Sequence, residues 1–436
     1  MFGWIYGWSV EEGVEADNND NANYSIEEAL TTVVITDDVI IGPYAFSNAD
    51  NIVSVTIPNT TTDLGAYAFY DSNSLTTVTF EETIEQACQI ATIEEGTFKE
   101  CNKLEMHSLP NSVTRIETMA FENCNAEGFD NFRIDNTVTT IETAVFRGTD
   151  NLATLTLPFV GRQMNTNNDE IVDKEEMFGW IYGYNNGNDN SNLSYSIETA
   201  LKHVTITDDT QIGAYAFSNA DEILTVTISH TVEFLGEHAF AYNDKLTTVT
   251  FDETVAPCGI KTIEKGTFRD SVSLVMATLP RSVTIIEDYV FYNCISMTEF
   301  TVQNTVTSIG SYTFSNDDEH KDDTSLVTVN FEDDIQLPVI SEGLFKNATK
   351  LVMHELPASV KYIERYNLYL LVVFFRDLRV AGTECLGQVF PSLLEGVPSL
   401  HLFDGQLTVS GKALVNIVVC LITMTVLTLF TGKTRM

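Results

Sequence analysis

A phenylalanine returns along most of this 436-residue chain, and the interval between its appearances constrains the fold more than any other feature. It falls at Phe46, Phe69, Phe98, Phe121, Phe146, Phe217, Phe240, Phe268, Phe291, Phe314 and Phe345, most often 23 residues apart. Six residues after most of them stands an aliphatic side chain: Ile52, Leu75, Leu104, Leu152, Ile223, Leu246, Leu274 or Leu351. Three and five residues further on come two more apolar positions, as in Val55 and Ile57 or Val226 and Ile228. Self-similarity at a period of roughly 20–29 residues marks a leucine-rich solenoid. The L-x-x-V-x-I spacing ends in strict alternation, which predicts a short strand with one face inward. The I-[GE]-x-x-x-F segment before it predicts a tight turn or a single helical turn on the opposite wall. One such unit cannot bury its apolar face alone, so neighbours must stack into a continuous core. Each inward Phe then contributes roughly 2–3 kcal/mol of burial.

The repeats are nested in a larger duplication. Met1-Phe2-Gly3-Trp4-Ile5-Tyr6-Gly7 returns as Met177-Phe178-Gly179-Trp180-Ile181-Tyr182-Gly183, and Tyr24–Leu30 returns as Tyr195–Leu201. Tyr24 and Tyr195 are read at the Phe position, which brings the count to thirteen strands. The third unit of each block has a longer approach (Phe69 to Phe98, Phe240 to Phe268), and its strand carries Met106-His107 or Met276-Ala277 in place of the usual Val. The expected organisation is a partial segment over 1–23, a first repeat block over 24–160, an acidic and Asn-rich insertion over 161–194, and a second block over 195–365. A non-repeat segment follows over 366–412, because Arg365-Tyr366-Asn367-Leu368 breaks the register. Residues 413–430 form a charge-free apolar run, long enough at about 1.5 Å per residue to be a candidate transmembrane helix. Lys433 and Arg435 after it would leave the repeats outside the cell.

The pattern I-G-x-Y-A-F-x-N-x-x-x-L-x-x-V-x-I-P-x-x-V, seen around Ile212–Val232 with Ile223 in the Leu place and Ser229 in the Pro place, resembles the BspA-type leucine-rich repeat; so does Leu279-Pro280-Arg281-Ser282-Val283. The resemblance implies a right-handed, curved array of short stacked strands. It also implies a surface or secreted protein, several relatives of that kind acting as adhesins.

Function is bounded by charge and by missing motifs. With 62 acidic against 23 basic residues the net charge is −39, which excludes nucleic acid as a partner, since that requires Lys and Arg to replace counterions. It is equally unsuited to anionic membrane surfaces. There is no G-x-S-x-G, H-E-x-x-H or G-x-G-x-x-G, so no enzyme and no cofactor is expected. Asn165, Asn167, Asp169 and Glu176 follow calcium-loop spacing, but Glu170 stands where the sharp turn needs glycine. That run reads more simply as a solvated linker. Of the seven cysteines, Cys101 and Cys124 share a place in adjacent repeats, open either to a bridge or to burial as a small side chain in a ladder.

The outward strand positions are the expected contact surface. Thr77 and Thr79, Thr154 and Thr156, Thr225 and Thr227, and Thr248 and Thr250 repeat a T-x-T face, interrupted by Met106, Asn131, Arg133 and Met353. Acidic pairs after the strands, among them Asp208-Asp209 and Asp252-Glu253, are expected to make one rim negative. The sequence therefore points to a non-enzymatic solenoid at the cell surface, binding a protein or glycan on a cell or matrix. The alternatives are a surface-layer component without a specific ligand, or the binding part of a larger enzyme.

Overall fold

The computed structural model describes residues 29–37, 39–82, 86–164, 174–183, 192, 195, 197–320, 323–352, 356–364, 366–367, 402–403 and 406–408. The chain divides into two compact units, Met1–Gly259 and Ile260–Met436. Both are built from the same β-solenoid turn, about thirteen turns along the chain, and no α-helix occurs among the described residues.

Each turn has three sides. The first is the L-x-x-V-x-I strand. In the first unit these strands pair in parallel as Thr32–Val34, Ser54–Ile57 and Thr77–Phe80 in one sheet. A second sheet orders Asn131–Arg133, Thr154–Leu157, His203–Ile206, Thr225–Ser229 and Thr248–Asp252. In the second unit Glu299–Val302 pairs with Thr328–Phe331. Alternation does what the pattern requires: Val226 and Ile228 are buried while Thr225 and Thr227 face outward. The second side is a two-residue bridge around the isoleucine before each Phe, for example Ile40–Ile41 with Asp63–Leu64, or Thr262–Ile263 with Ile285–Ile286 and Ser308–Ile309.

The third side is the Phe turn, and it is not helical. Two residues in it take left-handed backbone conformations. One lies two before the Phe (Tyr44, Tyr67, Met119, Tyr215, Tyr289, Tyr312) and one two after it (Asn48, Asp71, Asn123, Asn219, Asn293, Asn347). Alternating handedness points every second amide along the solenoid axis. Tyr44, Phe46 and Asn48 accordingly donate to the carbonyls of Ala66, Ala68 and Tyr70 one turn on. A bulky residue in the left-handed region costs roughly 1–2 kcal/mol. Stacking of Tyr44 on Tyr67, and of Tyr289 on Tyr312, each 5.2 Å apart and within 8° of parallel, offsets part of that.

Inside, the phenylalanines form a ladder. In the first unit Phe46, Phe69, Phe98, Phe121 and Phe146 stack at 5.2–5.8 Å, and Phe217 stacks on Phe240 at 5.1 Å. In the second, Phe268, Phe291, Phe314 and Phe345 stack at 5.4–5.8 Å. All eleven are buried, as the spacing predicted.

The join between the two blocks departs from expectation. Tyr195 does not stand in the Phe ladder. The rungs between Phe146 and Phe217 are Tyr182, 6.4 Å from Phe146, and Phe178, 5.0 Å from Phe217. Both belong to a short 3-10 helix, Phe178–Tyr182, whose two ends each supply one ring. Its backbone completes the ladder as well: Phe146 donates to Ile181 and Phe178 to Ala216. Tyr195 packs instead against Gly179 and donates its hydroxyl to the Lys174 carbonyl at 2.7 Å. On the second side Arg162 substitutes for a bridge residue, accepting from Ile141 and donating to Glu175, both at 2.7 Å. Its guanidinium pairs with Glu142 and Glu175. Gly161 is obligatory there: its φ is +82°, and a Cβ would fall 2.2 Å from the Glu175 carbonyl oxygen. The described part of the insertion is thus a turn of the solenoid.

At the far end the turn continues to Tyr366 and Asn367. Tyr366 has φ +63°, like the other residues two before a Phe, and Asn367 donates to Ser341 and Glu364. Leu368 takes the Phe place in the sequence pattern I-E-x-Y-x-[FL], compared with Ile286–Phe291. The repeat register therefore survives two residues beyond the expected boundary at 365. The apolar run 413–430 lies outside the described residues; among those described, no helix is long and apolar enough to cross a membrane.

Candidate functional site: the outward strand face

Parallel pairing fixes which outward side chains become neighbours. In the five-strand sheet, Asn131, Thr154, His203, Thr225 and Thr248 align in one column. Arg133, Thr156, Thr205, Thr227 and Thr250 align in the next. Six of the expected threonines are thereby brought together. Thr77 and Thr79 are not among them: they lie exposed on the three-strand sheet, beside Ser54 and Thr56.

The sheets are separate because the third-type turn has no strand. Leu104–Leu109 makes one isolated bridge, Ser108 to Arg133, and single backbone bonds to either side. Its apolar residue comes one position early, so Met106 turns inward and is 6% exposed. Met276 in the second unit does the same. Neither interrupts the outer face, as was expected of Met106; Met353 lies outside the described residues. Sequence signal for this existed, in a Met two after the Leu with a polar or small residue at the Val place and a proline behind it (Pro110, Pro280).

His203 is the residue that motif reading missed. It is exposed in the middle of a Thr column, with Nδ1 2.8 Å from Thr225 Oγ1. Beyond the strands, Asp209 corrects the expected acidic rim. It is fully buried, and its carboxylate accepts from the Val160 amide at 3.0 Å, bracing the join. Asp208 and Asp252 remain at the surface, and Asp252 caps the following loop by accepting from Thr254.

Other candidates resolve simply. Asn165, Asn167 and Asp169 of the calcium-like run lie outside the described residues, and Glu176 ends the short helix Lys174–Glu176. Among the described residues no group of His, Cys, Asp and Glu is placed to hold a metal ion. Cys101 and Cys124 are free thiols and the bridge is not formed. Each donates to a main-chain carbonyl of an earlier turn, Phe69 at 2.9 Å and Phe98 at 3.1 Å. Burial pushes the Cys101 thiol up to about 12, and that of Cys124 well above its usual range.

The repeat geometry has its counterpart in family comparison. The family model of the BspA-type leucine-rich repeat region matches residues 19–153, 192–321 and 251–371, with six copies. The chain belongs to the BspA-type leucine-rich-repeat family. Proteins of this family are typically surface proteins; leucine-rich repeats generally mediate protein interactions and are generally non-enzymatic. No curated protein matches the sequence. Solved structures similar to it include a leucine-rich repeat protein from Bacteroides ovatus, at 18% identity, TM-score 0.35, covering 78% of this chain and 85% of that one. A leucine-rich cell surface protein from Faecalibacterium prausnitzii is similar at 20% identity and TM-score 0.28, over 76% and 77% of the two chains. The pneumococcal vaccine antigen PcpA is similar at 17% identity and TM-score 0.28, over 81% and 88%.

Proposed function

We propose that this BspA-type array is a non-enzymatic adhesion or protein-binding element at the cell surface, and that its contact surface is the outward face of the five-strand sheet. One observation carries the reading: ten side chains in two registered columns, seven of them threonine, stand on a parallel sheet whose other face is buried in the core except at the half-buried Phe251 of the last strand. Such a face offers area without depth, which suits a macromolecule or glycan surface and gives no pocket for small-molecule chemistry.

The test is substitution on the face. Thr227→Glu with Thr250→Glu should abolish attachment of the immobilised chain to matrix proteins or cells, leaving circular dichroism and melting unchanged. The same charges at Asn186 and Asn188 of the Asn-rich loop should have no effect. Loss of attachment in the loop variant alone would place the contact elsewhere. Anchoring by 413–430 belongs to the same proposal: the full chain should partition into detergent, and a chain ending at residue 367 should stay aqueous. If both stay aqueous, there is no anchor in this segment.

A further inference from the structure

We propose that the partner of the five-strand face is a protein whose contacting surface is uncharged at its centre and basic along one edge. This rests on the reading of that face as the contact surface. The centre follows from the two columns. On a chain with 62 carboxylates, none of the ten column positions is acidic. The only ionisable side chains there are Arg133, whose charge is met by Asp135 at 2.6 Å, and His203. A partner seated on threonine hydroxyls desolvates no unpaired carboxylate. A charge opposite them would be buried with only hydroxyls for company, at a cost that neutral hydrogen-bonding groups avoid.

The edge follows from parallel topology. All five strands run the same way, so their C-terminal ends share one edge of the sheet. Asp208, Asp252 and Glu253 follow or end two of those strands. Arg133 and Asp135, at the end of a third, pair with each other, and His230 is the one further cation-forming side chain that ends or directly follows one of the five. Asp209 is excluded because it points into the core. Carboxylates at the border of a neutral patch act as rim charges, which steer encounter and set orientation while contributing little once contact is made. The net charge of −39 works in the same direction at longer range, attracting a basic protein and repelling an acidic one.

The experiment uses the full chain, with cytochrome c as a compact basic probe and fully succinylated cytochrome c as the same fold with its charge reversed. Binding is read by surface plasmon resonance at near-physiological salt. One variant neutralises the edge: Asp208→Asn, Asp252→Asn and Glu253→Gln. A second removes the same number of charges from the other sides: Asp63→Asn, Glu95→Gln and Glu237→Gln. A third fills the face without charge: Thr227→Tyr and Thr250→Tyr. The expected result is roughly tenfold weaker binding of cytochrome c to the edge variant, mainly through a slower on-rate. The second variant should change little, the third should bind poorly, and the succinylated probe should not bind. Equal losses in the first two variants would mean diffuse attraction to a polyanion and would overturn the inference. Equal binding of native and succinylated probe, with loss in the tyrosine variant, would overturn the basic edge and leave the face standing. Undiminished binding to the tyrosine variant would overturn the face itself, and this inference with it.

Discussion

The Phe wall and the strand wall of the first unit respond differently to the same disturbance. At the third-type turn the approach lengthens by six residues over the common interval, from 23 to 29. The strand sheet breaks there: Thr77–Phe80 is the last strand of one sheet and Asn131–Arg133 the first of the next. The Phe ladder does not. Phe69 to Phe98 and Phe98 to Phe121 are both 5.4 Å, inside the range on either side. The second unit repeats the contrast, with Phe268 on Phe291 at 5.4 Å beside a strandless Leu274–Leu279. A sheet needs several consecutive residues in register, and a one-residue shift of the apolar position turns a side chain over. A ladder of one ring per turn needs a single position in register. Extra residues can loop out before it. The core therefore tolerates variation that the outer face cannot, and the contact surface is cut into segments by the turns that vary.

The largest way to break this comparison is to remove a rung. Phe240 is fully buried and stacks on Phe217. Phe240→Ala should cost about 3–5 kcal/mol in denaturant unfolding, the cost of a large-to-small change in a packed core. Because each turn is supported only by its neighbours, protection from hydrogen exchange should fall in the flanking turns too. Wild-type-like unfolding would show that the ladder does not carry the solenoid.

A smaller effect tests the turn's handedness. Gly96 occupies the left-handed place before Phe98 at φ +61°, where other turns carry tyrosine. Tyrosine is excluded here because the Tyr67 ring lies over the site; even a Cβ would fall 2.4 Å from its Cε1. Gly96→Ala should cost roughly 1–2 kcal/mol from backbone conformation alone, and more if the ring cannot move. The reverse exchange, Tyr67→Gly, should cost less than a buried aromatic does, since it relieves the same strain. A Gly96→Ala variant as stable as the parent would mean the turn is not held in this conformation.

These contrasts explain what could be read before the structure. A residue that recurs once per turn is legible from spacing, and so the ladder, the inward Val and Ile and the family were all visible in the chain. The join was not, because Phe178 and Tyr182 are four residues apart on a helical turn and share no interval with the other rungs. Tyr195 looked like a rung only because its neighbours Leu201, Val204 and Ile206 fit the strand template. Asp209 failed for another reason: an acidic doublet reads the same whether it meets water or an amide 49 residues away. For the contact face, the threonines were legible and their grouping was not. Grouping depends on which turns form strands, and His203 becomes notable only once Thr225 stands beside it.

The smallest effect concerns the residue three after each Phe. In several turns its side chain donates to the main-chain carbonyl of the Phe one turn back; Ala49, Ala220 and Ala348 hold the same place without a donor, and Thr149 donates to the Phe146 carbonyl of its own turn. Ser72 donates to Phe46 at 2.6 Å, Cys101 to Phe69, Cys124 to Phe98, and Asn243 to Phe217 at 2.9 Å. Where a donor is present, chemically different groups fill one role, and the alanines show that the turn can close without it. Cys124→Ser keeps the donor in nearly the same volume, and its stability should lie close to that of the parent. Cys124→Ala removes the donor but leaves the Phe98 carbonyl its bond from the Cys101 amide, so it should cost only about 0.5–1.5 kcal/mol. The serine variant should thus be the more stable of the two, by a difference that chemical denaturation resolves. Thiol labelling supplies an independent check. With burial raising the thiols of Cys101 and Cys124, neither should react in the folded chain, and both should react after unfolding. A mass two units low on the native chain, traced to a peptide joining Cys101 to Cys124, would mean a bridge forms and the donor role is wrong. Equal stability of the alanine and serine variants would also remove the hydrogen bond from the account, leaving size alone as the reason these positions stay small.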